Sequence, residues 1–584
     1  MREKLVCRKN LITLTKNSFC DNLFNIMEIK SSYDEKNTCG VVSDAINIIK
    51  KEVLTNMKET KKFYITTPIF YPSGKLHIGT AYCETLTNCI KRYKKLRGFD
   101  TYMLTGLDEH GQKIQTVAEK NGITPQKYVD GMAEDVIKLW KSMDIDYDDF
   151  IRTTESRHMK AVQKIVQKYL ENGDIYKGEY TGWYCMPCEN YFTEIQLVDG
   201  KCPDCGREVK KMKEDAYFFK MSKYESWLKE FYQENPEFIM PISRKNEIFK
   251  NFIEPGLEDL CISRCTFDWG VPMPNDSKHV LYVWLDALAN YITALGYMSE
   301  DETLFRKYWP ADLHVVGKEI IRFHGIYWPI FLHALGLELP KKIYAHSWIV
   351  MKDGKMSKSV GNVIYPEDLI SRYGIDATKY YLLRLMSFAQ DSLFLPEDFV
   401  TRYNADLAND LGNLLNRTVA MINKYFEGEI PVDSKEATEF DEDLQECFEK
   451  KAKEAEDYMD EYHVSDAIQS VWAYIARTNK YIDETAPWVL AKTQETNEKL
   501  KAVMFNLADS LRRIAIMVKP YIPETSNKIL QQLGLECDVT WDDMYKKDAI
   551  AKGTKVVQKS EILFTRLDKE TEVEYITNAM HGNK

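Results

Sequence analysis

The sequence has no run of apolar residues approaching the roughly 18 that a membrane-spanning helix needs, so no membrane partner is expected. Its first 30 residues lack a continuous hydrophobic stretch followed by a small-residue cleavage site, which argues against a secretory signal. Internal repeats and low-complexity tracts are absent, and with them a repeat architecture. Positive charge is not in excess. Lys and Arg total 78 against 89 Asp and Glu, a net charge of −11. That balance argues weakly against a non-specific nucleic-acid coat, but local basic patches could still hold a nucleic-acid substrate.

With 584 residues, 44% hydrophobic and 29% charged, the composition is that of an ordinary soluble globular protein. The chain is too long for one compact core, and a length prior suggests roughly three to four domains. Thirteen cysteines, mostly scattered in a large chain without a signal, favour thiols plus a metal cluster and a cytoplasmic location over a disulfide framework.

Residues 1–56 mix short apolar pieces with Lys, Asn and Asp, and no pattern ties them to a fold. They read as an extension of unknown role, with the functional chain expected to start near Met57. From Phe63 the pattern is strand, tight turn, helix. Phe63–Phe70 is β-branched and aromatic, Pro72-Ser-Gly74 breaks it, and Leu86, Ile90, Tyr93 and Leu96 recur at helical spacing over Thr80–Arg97. A second strand, Thr101–Thr105, completes the start of a β-α-β unit with a parallel sheet. Strand signals return at Val280–Trp284 and Leu313–Val316, and beyond Asn404 the chain becomes helical, with amphipathic spacing over Asn404–Tyr425, Val464–Asp483 and Leu500–Met517. The expected division is a first catalytic segment over 57–175, an inserted module over 176–279, a second catalytic segment over 280–345, a linking region over 346–403 and a helical domain over 404–584.

Cys185-x-x-Cys188 and Cys202-x-x-Cys205 are separated by thirteen residues, and each pair brackets a proline (Pro187, Pro203). This spacing lets two backbone turns aim four sulfurs at one centre, as tetrahedral Zn²⁺ requires. With four thiolates no position is left for water, so the zinc would be structural. Cys261 and Cys265 have no partner pair and read as ordinary core or surface thiols.

Gly74-Lys-Leu-His77-Ile-Gly79-Thr80 lies between a strand and a helix, where free N–H groups and the helix dipole suit a polyphosphate. His77 could donate to a phosphate oxygen, and Gly79 would let a nucleotide approach the backbone. Lys355-Met-Ser-Lys358-Ser359 follows the turn Lys352-Asp-Gly354; two lysines on such a loop suit charge developing on a leaving pyrophosphate. Either motif alone is weak.

Together, HIGT and KMSKS resemble the paired signatures of class I aminoacyl-tRNA synthetases, in the right order and with a cysteine module between them. Thr80 stands where that family's first motif normally ends in His; a hydroxyl can bond a phosphate but carries no charge. Within the class the chain is most similar to methionyl-tRNA synthetase, through Thr66–Tyr71, Thr105–Gly111, Tyr282–Ala287 and Gly317–His324. The resemblance implies a Rossmann-like parallel-sheet catalytic domain with an inserted zinc knuckle, then an α-helical anticodon-binding bundle. It implies methionine activation with Mg²⁺-bound ATP, followed by transfer to tRNA(Met), initiator included. His77, Thr80, Lys355 and Lys358 would act in catalysis, with Gly79, Gly317 and Glu319 also at the nucleotide. Asp108 would hold the methionine ammonium and Ile69 add a backbone carbonyl. Tyr71, Trp284, Ala287, Leu288, Tyr291, Ile320 and His324 would form the thioether pocket, where sulfur–aromatic contacts are worth roughly 0.3–1.5 kcal/mol. Asn413, Arg417 and Trp488 would read anticodon bases by stacking and hydrogen bonding.

The chain ends at Lys584 without room for the C-terminal OB-fold that dimerises many relatives, so a monomer is expected. Two rivals remain at this point. Another class I synthetase would carry a large editing insertion or a zinc in its amino-acid pocket; a non-enzymatic zinc-knuckle RNA-binding protein or an inactive paralogue would turn over no ATP.

Overall fold

The structure is a computed structural model that describes residues 60–582 apart from 188–189, 193, 204 and 357–361. The 1–56 segment, Cys188 and Lys358 therefore lie outside the described residues.

Six parallel strands form the central sheet: β1 (Lys62–Thr66), β2 (Asp100–Leu107), β3 (Asp149–Arg152), β4 (Ile239–Met240), β5 (Leu313–Gly317) and β6 (Ile343–His346), in the spatial order β3-β2-β1-β5-β6-β4. β1 alternates as a strand buried on both faces must. Phe63 and Ile65 enter the core shared with the helical region, while Tyr64 enters a second core on the opposite face. The strand is shorter than the Phe63–Phe70 run. The Thr67 N–H makes the last bond of this run to β2, to Leu104 O at 3.0 Å; Pro68 has no N–H to donate, and the chain rejoins β2 at Phe70, whose N–H donates to Gly106 O at 2.9 Å.

The first helix, α1 (Ile78–Leu96), begins two residues earlier than its apolar spacing suggests because His77 itself is the N-cap. Its Nδ1 accepts the Gly79 N–H at 3.0 Å, the task a Ser or Asp oxygen usually performs. The run Val280–Trp284 is not one strand. Strand Asp276–Leu281 ends inside it, and α2 (Val283–Thr293) begins at Val283, since Leu285, Leu288 and Ile292 continue at helical spacing. A short apolar run cannot separate these alternatives by periodicity.

Strands Ile175–Cys185 and Lys210–Phe219 pair as a long antiparallel ribbon whose tip carries the cysteine turns. Beyond the sheet the chain winds into α3 (Asn413–Phe426), α4 (Asp441–Asp460), α5 (Val464–Thr485) and α6 (Asn497–Val518). Three acids in the first turn of α4 complement its dipole. The C-terminal end of α1 is fastened to this bundle: Lys94 pairs with Asp460 at 2.6 Å, and Tyr93 meets Trp541 edge-on with ring centroids 5.0 Å apart.

Candidate active site

β1 and β5 are neighbours in space though remote in sequence, and the chain leaves the sheet in opposite directions on either side of them. Such a switch point opens a crevice outside the carboxyl ends of the strands. A cavity of about 440 Å³ lies there. Ile69 and Tyr71 enter it from β1, Asp108 from β2, Gly317, Glu319, Ile320 and His324 from β5, and Trp284, Ala287, Leu288 and Tyr291 from α2. All eleven positions singled out for methionine or for the β5 side of the nucleotide line one cavity, together with His77, Gly79 and Thr80.

Its polar groups are held in place. The Asp108 N–H donates to Phe70 O at 3.0 Å, fixing the turn in which the buried carboxylate sits. His324 and Tyr291 are buried and 2.7 Å apart, Nε2 to OH. Burial drives His324 down to about 4, leaving the ring neutral near pH 7. Its Nδ1 donates to Ile320 O at 3.0 Å, so Nε2 accepts the Tyr291 hydroxyl. His314 fixes the other face of Tyr291, their centroids 4.2 Å apart. Trp284 stacks on Phe323 at 3.6 Å and 11°. The Trp348 indole N–H donates to the Glu319 carboxylate at 2.6 Å and so holds that group at the rim.

Two glycines leave room for the side chains placed beside them. A Cβ on Gly79 would stand 2.9 Å from the His77 ring, so the cap and the glycine require each other. A Cβ on Gly317 would fall 2.6 Å from a Glu319 carboxylate oxygen. The two signature motifs also meet. The Ile78 N–H donates to Ile364 O at 3.2 Å, Lys75 pairs with Glu367 at 3.4 Å, and Met356 lines the cavity beside Gly79. The described flanks of the KMSKS loop thus stand at the start of α1, although Lys358 is not among them and only the backbone of Lys355 is described, in a two-residue strand.

At the ribbon tip the sulfurs of Cys185, Cys202 and Cys205 lie within 4.8 Å of one another, Cys185 and Cys205 at 3.5 Å. Zinc–sulfur bonds near 2.3 Å in a tetrahedron place sulfurs about 3.8 Å apart, so these donors fit a zinc. Pro187, in the same turn, lines the cavity at the switch point.

Comparison with known proteins gives the arrangement its family. The profile of class I tRNA synthetases of the methionine type matches residues 63–213 and 206–419, and that of the anticodon binding domain of methionyl tRNA ligase matches 430–583. The methionine–tRNA ligase of Bacillus subtilis is 56% identical over 539 residues, covering 90% of this chain and 81% of that protein. The one from Caldanaerobacter subterraneus is 54% identical over 513 residues, 88% and 80% of the two chains. The methionyl-tRNA synthetase of Mycobacterium tuberculosis, solved with methionyl-adenylate, superposes with a TM-score of 0.81 at 37% identity, covering 85% of this chain and 98% of that one.

The chain belongs to the methionyl-tRNA synthetase family.

Within that family's helical domain, Trp488 is the second residue of a short helix, Pro487–Leu490, that follows α5, and it is 45% exposed. The chain between α5 and that helix turns at Ala486, so the ring is presented outward instead of capping a helix in the core. Arg417, on α3, pairs with Asp483 near the same end of α5 at 3.1 Å, and Asn413 is exposed one turn before it. Asn413 and Arg417 precede the region matched by the anticodon-domain profile; Trp488 lies inside it.

Sequence reasoning missed several groups around the synthetase cavity. Asn290, Ser347 and Trp348 contribute to its wall. Asp286 lies on α2 between two pocket residues and is fully buried, held by His110 and His158 at 2.6 and 2.8 Å. Glu84, on α1, is buried against the Thr67 and Thr105 hydroxyls. The available signal was a charged residue at an apolar helical position, and in the case of Asp286 it lay inside a segment already singled out.

Proposed function

We propose that the chain activates methionine with ATP, releasing pyrophosphate, and transfers the methionyl group to the 3′ end of tRNA(Met). The observation that carries this reading is the convergence of Asp108, the Tyr291–His324 pair and the capped start of α1 on one cavity at the sheet's switch point. Asp108 supplies a fixed negative charge for the ammonium. The neutral His324 and the Tyr291 ring give an uncharged, polarizable wall suited to a thioether, since a charged imidazolium there would be poorly paired. The N-terminus of α1, whose first N–H groups are engaged by Ile364 O and by His77, provides a positive dipole end for the triphosphate.

No protein nucleophile is required. The methionine carboxylate attacks the α-phosphate, and the chain contributes positioning and charge stabilisation. Thr80 offers a hydroxyl to a phosphate, and Lys355 and Lys358 offer charge to the leaving pyrophosphate. ATP would enter as its Mg²⁺ complex. A zinc held by Cys185, Cys188, Cys202 and Cys205 would stiffen the ribbon tip against which Pro187 borders the cavity, with no part in bond making. Asn413, Arg417 and Trp488 would receive the anticodon, Trp488 by stacking.

The deciding experiment is ATP–pyrophosphate exchange on the purified chain with each amino acid in turn. Exchange with methionine alone is expected. Exchange with another amino acid would overturn the pocket, and none with any would overturn the activity.

A further inference from the structure

The buried carboxylate of Asp286 touches nothing in the cavity, yet it is where three parts of the catalytic domain meet. Its Oδ2 accepts from His110 Nδ1 at 2.6 Å, and His110 sits two residues beyond Asp108 on the turn leaving β2. Its Oδ1 accepts from His158 Nε2 at 2.8 Å, and His158 lies on the helix Ser156–Glu171 that follows β3. His158 Nδ1 in turn accepts from Thr293 Oγ1 at 2.7 Å, at the far end of α2. Asp286 itself is on α2, one residue before Ala287 and five before Tyr291, both of which line the cavity. Trp269 closes the outer side, edge-on to His110 at 5.6 Å, its indole N–H donating to Glu109 O at 2.6 Å.

We propose that Asp286 is a positioning residue for the amino acid: it locks the strand end that carries the ammonium site to the helix that carries the thioether wall. The inference rests on the assignment of Asp108 to the methionine ammonium. Two partners, each donating one N–H, require an acceptor with two oxygens. Burial alone would push this carboxyl up, but the two histidines hold it down at about 2, so it stays ionised throughout the working range. Asparagine matches its shape but offers one oxygen and one N–H₂. One histidine must then switch tautomer or lose its bond, and the β2 turn is released from α2. The nucleotide side, built from α1 and β5, makes none of these contacts. The consequence is therefore selective: the distance between ammonium site and thioether wall loosens, and the triphosphate site does not.

The test is pyrophosphate exchange on full-length Asp286→Asn, His110→Gln and the double variant, with Asp108→Asn alongside. The expected result is a rise in KM for methionine of about tenfold to a hundredfold in each single variant, as misplacement by an ångström produces. KM for ATP should move by less than about twofold, and the double variant should be no worse than the poorer single one, because both cut the same link. If Asp286→Asn does not fold, His110→Gln carries the same prediction alone. A fall in kcat with unchanged KM for methionine, or equal rises for both substrates, would overturn the positioning role. An unchanged methionine KM in Asp108→Asn would instead strike the underlying site assignment.

Discussion

Glu84 gives a sharp test of the physics beneath the cavity. Its side chain is wholly buried on α1, where Thr105 donates to Oε1, Thr67 lies 3.4 Å from the same oxygen, and Oε2 has no hydrogen-bond partner among the described residues. The titratable neighbours that feel its charge are the Cys83 thiol and the Tyr147 phenol, neither of them basic. Burial raises the carboxyl from its ordinary 4.5 to about 8, against the lowering pull of the two hydroxyls. The sign follows from linkage. Between these values the folded chain holds a proton that the unfolded chain has released, so stability is full below pH 4.5, declines as pH rises, and stops declining above about pH 8. At 1.36 kcal/mol per unit the loss is about 3 kcal/mol by pH 7 and about 4–5 kcal/mol by pH 8.5. Glu84→Gln mimics the protonated form and escapes it. Scanning calorimetry should show the two proteins within about 1 kcal/mol at pH 5, with the Gln form ahead by roughly 4 °C in Tm at pH 8.5. Pyrophosphate exchange at pH 7 should be unaltered, because Glu84 is already neutral there. Parallel Tm curves across that range would show that the carboxylate is ionised and compensated, refuting the reasoning.

Four further outcomes are expected. Lys358→Ala should slow adenylate formation by orders of magnitude while methionine binding, followed by tryptophan fluorescence, stays largely intact. Tyr291→Phe leaves the buried His324 Nε2 without its donor, a cost of about 1–3 kcal/mol, and should raise the methionine KM about tenfold or more in exchange assays. Metal analysis of the purified chain should find about one zinc per molecule, and Cys202→Ser should lose it and lower Tm; full metal content in that variant would refute the tetra-cysteine site. Trp488→Ala should cut tRNA charging while sparing pyrophosphate exchange, and an equal loss of both would indicate a folding defect instead.

The sequence exposed the parts of this molecule that depend on neighbours in the chain. The start of β1, the amphipathic α3, α5 and α6, and the strand–turn–helix around His77 are local patterns, and each falls where its residues suggest. The failures have local causes too. Pro68 cut β1 short, a histidine served as N-cap in a role usually given to Ser or Asp, and five apolar residues at Val280–Trp284 fitted strand and helix equally. What could not be read is the set of contacts made across the fold. Asp286 meets a histidine 176 positions away, and Glu84 meets Thr67 and Thr105 through two different strands. Periodicity marks such acids only as misfits on an apolar face; it does not name the partner that satisfies them.

The two misfits differ in charge, and the difference follows from what the substrates bring. Glu84 stands one turn beyond Thr80, about 9 Å along α1 from its first residue, at the end proposed for the triphosphate. An ionised carboxylate there would place a full negative charge beneath the dipole end that must attract phosphate, undoing an effect worth only about 0.3–1 kcal/mol at an exposed terminus. With hydroxyls and no cation beside it among the described residues, Glu84 remains neutral near pH 7, and the helix end keeps its positive character. Asp286 lies on the opposite wall, toward Asp108, where an incoming ammonium is cationic. Ionisation there costs substrate binding nothing, and it permits the double acceptance that ties β2 to α2. Exchanging the two environments would fail on both sides. A pair of histidines beside Glu84 would charge the floor of the phosphate site, and hydroxyl donors beside Asp286 would leave it protonated, able to hold only one of its two partners.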